Sequence, residues 1–361
     1  MKKELRLMKG NEAFGEAAIR AGTDGYFGYP ITPQSEVMEY LMAEKPHERT
    51  GMVVLQAESE VASINMLYGG AGCGKKVMTS SSSPGISLMQ EGISYMAGAE
   101  LPCLILNVVR GGPGLGTIQP SQSDYFQSTK GGGHGDYRLI TLAPASVQEM
   151  YDFVKIGYDL AFKYRNPVMV LSDGAIGQMM EKVEVDEQVE RLSEEKIREM
   201  YPWATTGRHN GRERNIITSL DLDPARQERH NEALQRKYKE VEEKEVRYEK
   251  FNCDDAEYLL VAYGTSSRIC QKSVQLARDK GIKVGRFRPI TLFPFPKKEI
   301  KEMAGKVKGI LSVEMSAGQM IEDILLAVEG KVKVEHYGRM GGIIPAPGEV
   351  VTALENKIIK G

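Results

Sequence analysis

The chain has 361 residues, 41% hydrophobic and 27% charged, with 47 basic against 49 acidic side chains and a formal net charge of −2. That balance offers no broad cationic surface, so nucleic acid is not an expected partner. The start, Met1-Lys-Lys-Glu-Leu-Arg6, is basic without a following apolar segment, and no apolar run approaches the ~20 residues that cross a bilayer, so a cytoplasmic protein without membrane contact is expected.

The length exceeds what one core usually organises and predicts two α/β domains joined by a connector. A helix is predicted over Glu12 to Ala21, then a Gly-rich strand region, Gly25-Tyr-Phe-Gly-Tyr-Pro30, then a turn and a helix starting near Pro33. Apolar runs follow at Met52–Leu55, Val77-Met78, Cys103–Val109 and Pro167–Leu171, each separated by a helical pattern. Such doubly buried strands indicate a parallel sheet covered on both faces, with ligands expected beyond the carboxyl ends of its strands.

The rhythm stops after Asp173-Gly174. From about Glu181 to Lys250 charged residues dominate, and Lys237–Arg247 alternates in sign as a solvated helix bridging domains would. Trp203, the only tryptophan, is read as a packing anchor for this connector. Strand and helix resume at Tyr258-Leu-Leu-Val-Ala-Tyr-Gly264, with a helix through Gln271 to Ala277 and strands at Lys283–Phe287, Gly309–Val313 and Val332–Glu335. The division expected is therefore 1–180, a connector over 181–255, and a smaller α/β domain over 256–361. Cys73, Cys103, Cys253 and Cys270 form no Cys-x-x-Cys pair; they read as small buried hydrophobes, and no metal or cluster site is expected in this chain.

Gly69-Gly-Ala-Gly-Cys-Gly-Lys75 nearly spells a phosphate-binding loop, but Lys76 stands where a hydroxyl should ligate magnesium, and a helical pattern precedes it instead of a strand. A Gly-rich helix end explains it. Gln56-Ala-Glu58-Ser-Glu60 places two carboxylates between a strand and a helix, where acids in a first turn ordinarily complement the helix dipole. Glu60 gains weight from its surroundings: Ser80-Ser-Ser-Ser-Pro-Gly85 and Arg110-Gly-Gly-Pro-Gly-Leu-Gly116 follow the next two strands, so three strand ends converge with an acid, small hydroxyls and a cation. Gly28-Tyr-Pro-Ile-Thr32-Pro-Gln-Ser35 projects Thr32 from a Pro-bracketed turn, where it also suits a helix N-cap.

Tyr29-Pro-Ile-Thr-Pro33, Glu60, Ser83-Pro-Gly85 and Arg110-Gly-Gly-Pro113, in this order and spacing, resemble the pyrimidine-binding domain of 2-oxoacid:ferredoxin oxidoreductases. Tyr258 to Lys357 resembles that family's transketolase C-terminal-like domain, so the resemblance covers essentially the whole chain. It implies an α/β thiamine-diphosphate-binding fold, a parallel sheet with helices on both faces, plus a smaller transketolase C-terminal-like domain. Ile217–Arg226 and the charged connector resemble the branched-chain, 2-oxoisovalerate (3-methyl-2-oxobutanoate) members in particular, with 2-oxoglutarate the second substrate implied. In this family a glutamate hydrogen-bonds N1′ of the thiamine aminopyrimidine, and Glu60 matches it, whereas Glu58 would be an ordinary first-turn acid. Arg110 matches the arginine that binds the substrate carboxylate, Thr32 a hydroxyl that contacts the oxoacid, and Ser83, Pro84 and Gly85 the pyrimidine pocket. His134 lies in a family-like loop near the same crevice and is given no proton-transfer role.

The resemblance also implies what other subunits supply. Ser172-Asp-Gly174 is the nearest approach to the Gly-Asp-Gly diphosphate motif, and no asparagine pair follows it. A diphosphate-binding thiamine subunit with Mg2+, a gamma-type subunit and a ferredoxin-like subunit with [4Fe-4S] clusters are therefore expected partners, with external ferredoxin as acceptor and coenzyme A as co-substrate. The activity implied is CoA-dependent oxidative decarboxylation of a 2-oxoacid to acyl-CoA, CO2 and reduced ferredoxin. A split non-oxidative thiamine decarboxylase and a non-enzymatic scaffold subunit are the alternatives.

Overall fold

The computed structural model describes residues 4–208 and 211–361. In chain order the strands are β1 (Glu4–Lys9), β2 (Gly25–Gly28), β3 (Val53–Gln56), β4 (Val77–Ser81), β5 (Cys103–Val109), β6 (Ile140–Leu142), β7 (Pro167–Asp173), β8 (Met180–Val185), β9 (Tyr248–Phe251), β10 (Tyr258–Val261), β11 (Val284–Pro289), β12 (Thr291–Phe293), β13 (Gly309–Glu314) and β14 (Lys333–Gly338). A seven-stranded sheet runs β12-β6-β7-β5-β4-β2-β3, parallel except for β12, and a five-stranded sheet runs β14-β13-β10-β11-β9, parallel except for β9. Every residue of β5 and β7 is buried, which is why these two strands read as unbroken apolar runs. The helices Gly10–Arg20 and Val147–Tyr164 pack on each other, as do Glu60–Gly72 and Ser83–Gly98, and together they cover the larger sheet.

Several elements depart from the sequence expectation for identifiable reasons. The run at Met52–Leu55 forms β3, which is the edge of the sheet and not doubly buried: Val53 and Leu55 face out at 49% and 40% exposure. β8 pairs antiparallel with β1 in a separate two-stranded sheet, although its residues belong to the charged stretch. β9, also in that stretch, joins the second sheet. β12, from the C-terminal half, crosses over to close the first sheet against β6. β8, β9 and β12 do not announce themselves, because short strands whose pairing is set by distant partners leave little periodicity.

The helix Pro224–Lys244 is amphipathic in a sparing way, burying Leu234, Tyr238 and Val241 and leaving most of its charged residues exposed, Lys237 excepted. Tyr238 meets the ring of Phe293 edge-on at 6.3 Å, and Lys237 reaches Glu100 at 3.1 Å. Trp203 lies under the Arg165 guanidinium at 4.7 Å and beside Tyr201, so it anchors the connector to the first domain. The Gly69–Lys75 segment is a helix end: Glu60–Gly72 is helical, Gly74 turns at φ 73°, and β4 follows. Of the four free cysteines, Cys103 and Cys270 are buried, whereas Cys73 and Cys253 are half-buried.

The domains are joined through buried polar groups. Gln122, 2% exposed, donates from its amide nitrogen to the Tyr263 carbonyl at 2.9 Å, and its amide oxygen accepts from Ser266 Oγ at 2.6 Å and the Met315 N–H at 3.0 Å. Its own backbone N–H and carbonyl bond Met315 and the Tyr263 hydroxyl. A second knot holds the N-terminal corner: Glu16, wholly buried, accepts from Arg6 at 3.1 Å, Arg20 at 2.6 Å, Arg49 at 3.0 Å and the Tyr40 hydroxyl at 3.0 Å.

Two stability predictions follow from these knots. Gln122→Leu strands three buried polar groups and is expected to cost roughly 3 kcal/mol in denaturant unfolding, since each unpaired buried group loses about 1–3 kcal/mol with incomplete additivity; a loss below about 0.5 kcal/mol would contradict this. Burial alone would raise the Glu16 carboxyl, but the hydrogen bonds and charges of Arg49 and Arg20 outweigh it and hold it below the ordinary 4.5. A depressed carboxyl stabilises fully above its unfolded value and loses that contribution as pH falls through the folded one. Glu16→Gln is therefore expected to lower the melting temperature at neutral pH, and to shrink the further drop on acidification below about 4.5, as read in a pH series of thermal melts.

Candidate active site

β5, β4 and β2 are neighbours running the same way, so the segments that leave their carboxyl ends share one edge of the sheet. After β2 the chain turns through Pro30 and Pro33. The next helix starts at Ser35, near Pro33 as expected, with Gln34 at its N-cap, and Thr32 is an exposed turn residue instead of a cap. The turn is held from below: Gln34 is buried, donates to the Tyr29 carbonyl at 3.0 Å, and accepts from Ser80 Oγ at 2.7 Å. Ser80 in turn meets the Tyr26 hydroxyl at 2.8 Å. Arg110, 9% exposed at the end of β5, donates from Nη1 to the Thr32 carbonyl at 3.0 Å, bringing these two residues together.

Glu60 is the first residue of its helix, whose N-cap is Ser59, the side chain accepting from the Ala62 N–H at 3.2 Å. Glu58 precedes that cap and is exposed, so it is not a first-turn acid. Glu60 as a residue is 7% exposed, and its carboxylate accepts no hydrogen bond from the described residues. It lies against Gly85: a Cβ built there would fall 2.7 Å from Glu60 Oε1 and 2.0 Å from Ser81 Oγ. Nearby, the hydroxyls of Ser81 and Ser82 are buried without partners. A carboxylate without donors from its own chain, facing a bare glycine and spare hydroxyls, suits a polar heterocycle with ring N–H and amino groups.

Ser83 opens the helix Ser83–Gly98 and accepts from the Arg110 N–H at 3.2 Å. Ser83, Pro84 and Arg110 line one side of a cavity of about 410 Å3; Met315 to Gln319 and Met340-Gly341 of the second domain line the other. Gly111 has no room for a side chain, since a Cβ would sit 2.9 Å from the Gly341 carbonyl carbon, so the Arg110 loop docks directly on that domain. The Ser316–Gln319 wall is shaped by Glu314, a fully buried carboxylate that accepts from Ser312 and Ser316 hydroxyls and from the N–H groups of Gln319, Met320 and Ile321 at 2.9–3.0 Å. Sequence reasoning missed this wall. Its signal was the polar, small-residue run Glu314-Met-Ser-Ala-Gly-Gln319 at the end of a buried strand.

His134 does not share this cavity. Its carbonyl accepts from Ser94 and its ring meets Tyr95 edge-on, beside a separate cavity lined by Ser219, Leu220 and Asn231. Ser94 is eleven positions along the helix from Ser83, or about 17 Å at 1.5 Å per residue. Asp173, in Ser172-Asp-Gly174, is also committed elsewhere: it caps the helix Gly174–Gln178 through Ala175 and Ile176 and accepts from the Thr265 hydroxyl at 2.8 Å. Among the described residues no cluster of three or more His, Cys, Asp or Glu is arranged to hold a metal ion.

Residues 16–250 match the family described as pyruvate flavodoxin/ferredoxin oxidoreductase, thiamine diP-binding, and residues 256–350 match pyruvate:ferredoxin oxidoreductase core domain II. The chain belongs to this family. It is a subunit of a ferredoxin-dependent 2-oxoacid oxidoreductase, an enzyme assembled from several subunits. It is 51% identical over 339 residues, 93% of each chain, to the ketoisovalerate oxidoreductase subunit VorB of Methanothermobacter thermautotrophicus. It is 35% identical over 369 residues, 97% of this chain and 99% of the other, to the 2-oxoglutarate synthase subunit KorA of Methanocaldococcus jannaschii. Among solved structures, the 2-oxoglutarate:ferredoxin oxidoreductase from Magnetococcus marinus, with 2-oxoglutarate, coenzyme A and succinyl-CoA bound, superimposes with a TM-score of 0.85 at 28% identity; the match covers 99% of this chain and 66% of that longer one. A split-gene transketolase shares the fold alone, with a TM-score of 0.60 at 12% identity over 98% of each chain.

In this family the cofactor is thiamine diphosphate, and the Glu60–Gly85 cradle fits its aminopyrimidine end, while the saturated Asp173 leaves the diphosphate end unserved by that motif. Gly85→Ala is accordingly expected to push the Glu60 carboxylate aside and lower dye-linked oxidoreductase activity of the assembled complex at least about tenfold, while adding on the order of 1–3 kcal/mol of strain to the chain. Activity within twofold of wild type would show that the cradle is not used as the contact distances require.

Proposed function

We propose that this chain is the thiamine-activating subunit of a 2-oxoisovalerate:ferredoxin oxidoreductase that converts branched-chain 2-oxoacids, coenzyme A and oxidised ferredoxin to acyl-CoA, CO2 and reduced ferredoxin. The observation that carries this reading is the carboxylate of the largely buried Glu60, which has no donor among the described residues and is set against Gly85. Thiamine diphosphate supplies the electron sink for decarboxylation when bound. Glu60 holds a proton at N1′ of its aminopyrimidine, while Ser83, Pro84 and Gly85 line the ring's pocket. Arg110 binds the substrate carboxylate, for which a guanidinium fork is suited, and Thr32 contacts the oxoacid from the adjoining turn.

The branched-chain assignment rests on two supports. Identity to the ketoisovalerate subunit exceeds that to the 2-oxoglutarate subunits, and Arg110 is the one cation among the residues lining the 410 Å3 cavity. A dicarboxylic oxoacid would bring a second carboxylate with no positive partner on this wall. The partners are a diphosphate-binding subunit carrying Mg2+, a gamma-type subunit and a ferredoxin-like subunit carrying [4Fe-4S] clusters. Val53 and Leu55 on β3, Val61 and Met66 on the helix that Glu60 opens, and Leu88 on the helix Ser83–Gly98 are exposed apolar side chains suited to contact with the diphosphate-binding subunit. No described helix is long and apolar enough to cross a membrane, and the free thiols suit a reducing cytoplasm.

The test is anaerobic, CoA-dependent dye reduction by the complex co-expressed with its partner subunits, comparing 2-oxoisovalerate, 2-oxoglutarate and pyruvate. A preference for 2-oxoisovalerate, with a loss of at least about a hundredfold in Glu60→Gln, is expected. Preference for another oxoacid would correct the substrate, and full activity in Glu60→Gln would overturn the role of this chain in cofactor activation.

A further inference from the structure

Shape alone sets the Glu60 carboxylate against Gly85, since it accepts no hydrogen bond from the described residues. That leaves the plane of the carboxylate undetermined, because the terminal torsion of a glutamate is broad and roughly two-fold, unlike the staggered torsions before it. A carboxylate that must present one oxygen to a ring nitrogen needs a group to hold the other.

The fold places such a group beside it. Ser81 is the last residue of β4 and is wholly buried. Its hydroxyl has no hydrogen-bond partner. A Cβ built on Gly85 would fall 2.0 Å from Ser81 Oγ and 2.7 Å from Glu60 Oε1, so the hydroxyl and that carboxylate oxygen border the same point and lie no farther apart than those two distances together. The missing side chain at position 85 leaves them room to meet. A serine hydroxyl has one proton to donate, and an ionised carboxylate is an acceptor only. The competing acceptor is the Asn107 amide oxygen, which also lacks a partner and belongs to the residue paired with Ser81 in the β4–β5 register. The carboxylate wins that competition, because hydrogen bonds to an ionised group are roughly twice as strong as neutral ones. Hydrogen bonds at catalytic groups commonly tighten only once the ligand is seated.

We propose that Ser81 is the positioning residue for Glu60: its hydroxyl donates to the carboxylate oxygen beside Gly85 and so turns the other oxygen toward N1′ of the thiamine aminopyrimidine. This rests on the reading of Glu60 as the group that holds a proton at that nitrogen. It assigns Ser81 no contact with the 2-oxoacid.

The experiment uses the assembled complex, freed of thiamine diphosphate and reloaded, with Ser81→Ala, Glu60→Gln and the double variant, alongside Thr79→Val. Thr79 lies two residues earlier on the same face of β4, and its hydroxyl is likewise buried without a partner. Ser81→Ala is expected to weaken thiamine diphosphate binding about tenfold by calorimetry and to lower kcat at saturating cofactor about tenfold, the order of one hydrogen bond to a charged group. KM for the 2-oxoacid is expected to stay within about twofold. Because Ser81→Ala removes a hydroxyl that has no partner in its own chain, it is expected not to lower the melting temperature of the cofactor-free complex, whereas loss of a merely structural serine would. Thr79→Val is expected to leave cofactor affinity and kcat within about twofold of wild type. Since Ser81 acts only through Glu60, the double variant is expected to be no worse than Glu60→Gln. A kcat or cofactor affinity of Ser81→Ala within about twofold of wild type, a lower melting temperature of its cofactor-free complex, equal losses in Thr79→Val, or additive losses in the double variant would overturn the proposal. Glu60→Gln separates the two failures: full activity there overturns the cofactor role of Glu60 and this role with it, whereas a loss there without one in Ser81→Ala overturns the role of Ser81 alone.

Discussion

The site depends on the way Gln122 ties the two domains together. One side chain, nearly without solvent contact, satisfies a carbonyl after β10, a hydroxyl in the helix that follows, and an amide after β13, while its backbone bonds two of the same residues again. In an apolar interface small sliding motions would be cheap. Here any slide breaks several buried hydrogen bonds at once, each expensive to leave unmade. The Arg110 loop and the Met315–Gln319 wall are thereby held at a fixed separation, and the cavity between them is a property of the interface and not of either sheet.

Much of this was legible in the residues. β5 and β7 announce themselves as apolar runs because both of their faces are covered, and the strand-end segments around Thr32, Glu60, Ser83 and Arg110 stand out because small, polar and rigid residues interrupt those runs. What escaped detection was set by distant partners. β12 has three residues and takes its identity from β6, some 150 positions away by the register Thr291 to Leu142. Thr32 looks like a cap because threonine before proline usually is one; the turn instead continues to Gln34, whose side chain is drawn inward by Ser80. His134 sits in a loop of the right composition but packs on the far end of its helix. Glu314 and Gln122 are invisible as organisers in sequence, since a glutamate or glutamine carries no periodic signature and earns its role from donors that arrive from elsewhere in the chain.

Three acids of the site region illustrate how environment assigns work to the same carboxylate chemistry. Asp173 and Glu314 are surrounded by donors and shape the backbone near them. Glu60 is almost equally buried yet has none. The Glu60 carboxylate is thereby left free to receive donors from a ligand, whereas those of Asp173 and Glu314 are already taken up by the fold.

The crossing of β12 also bears on how such chains can be assembled or divided over evolution. The two family matches meet between residues 250 and 256, which looks like a natural seam for exchanging modules between relatives. The fold has no seam there, because a segment beyond that point completes the sheet of the preceding module. A C-terminal module moved onto another N-terminal half must bring an edge that matches the new β6. A half left behind exposes an unpaired strand edge, a template for self-association. Shuffling at the sequence boundary is therefore penalised by topology, and inheritance of the two halves as one unit is the arrangement that the hydrogen-bond pattern favours.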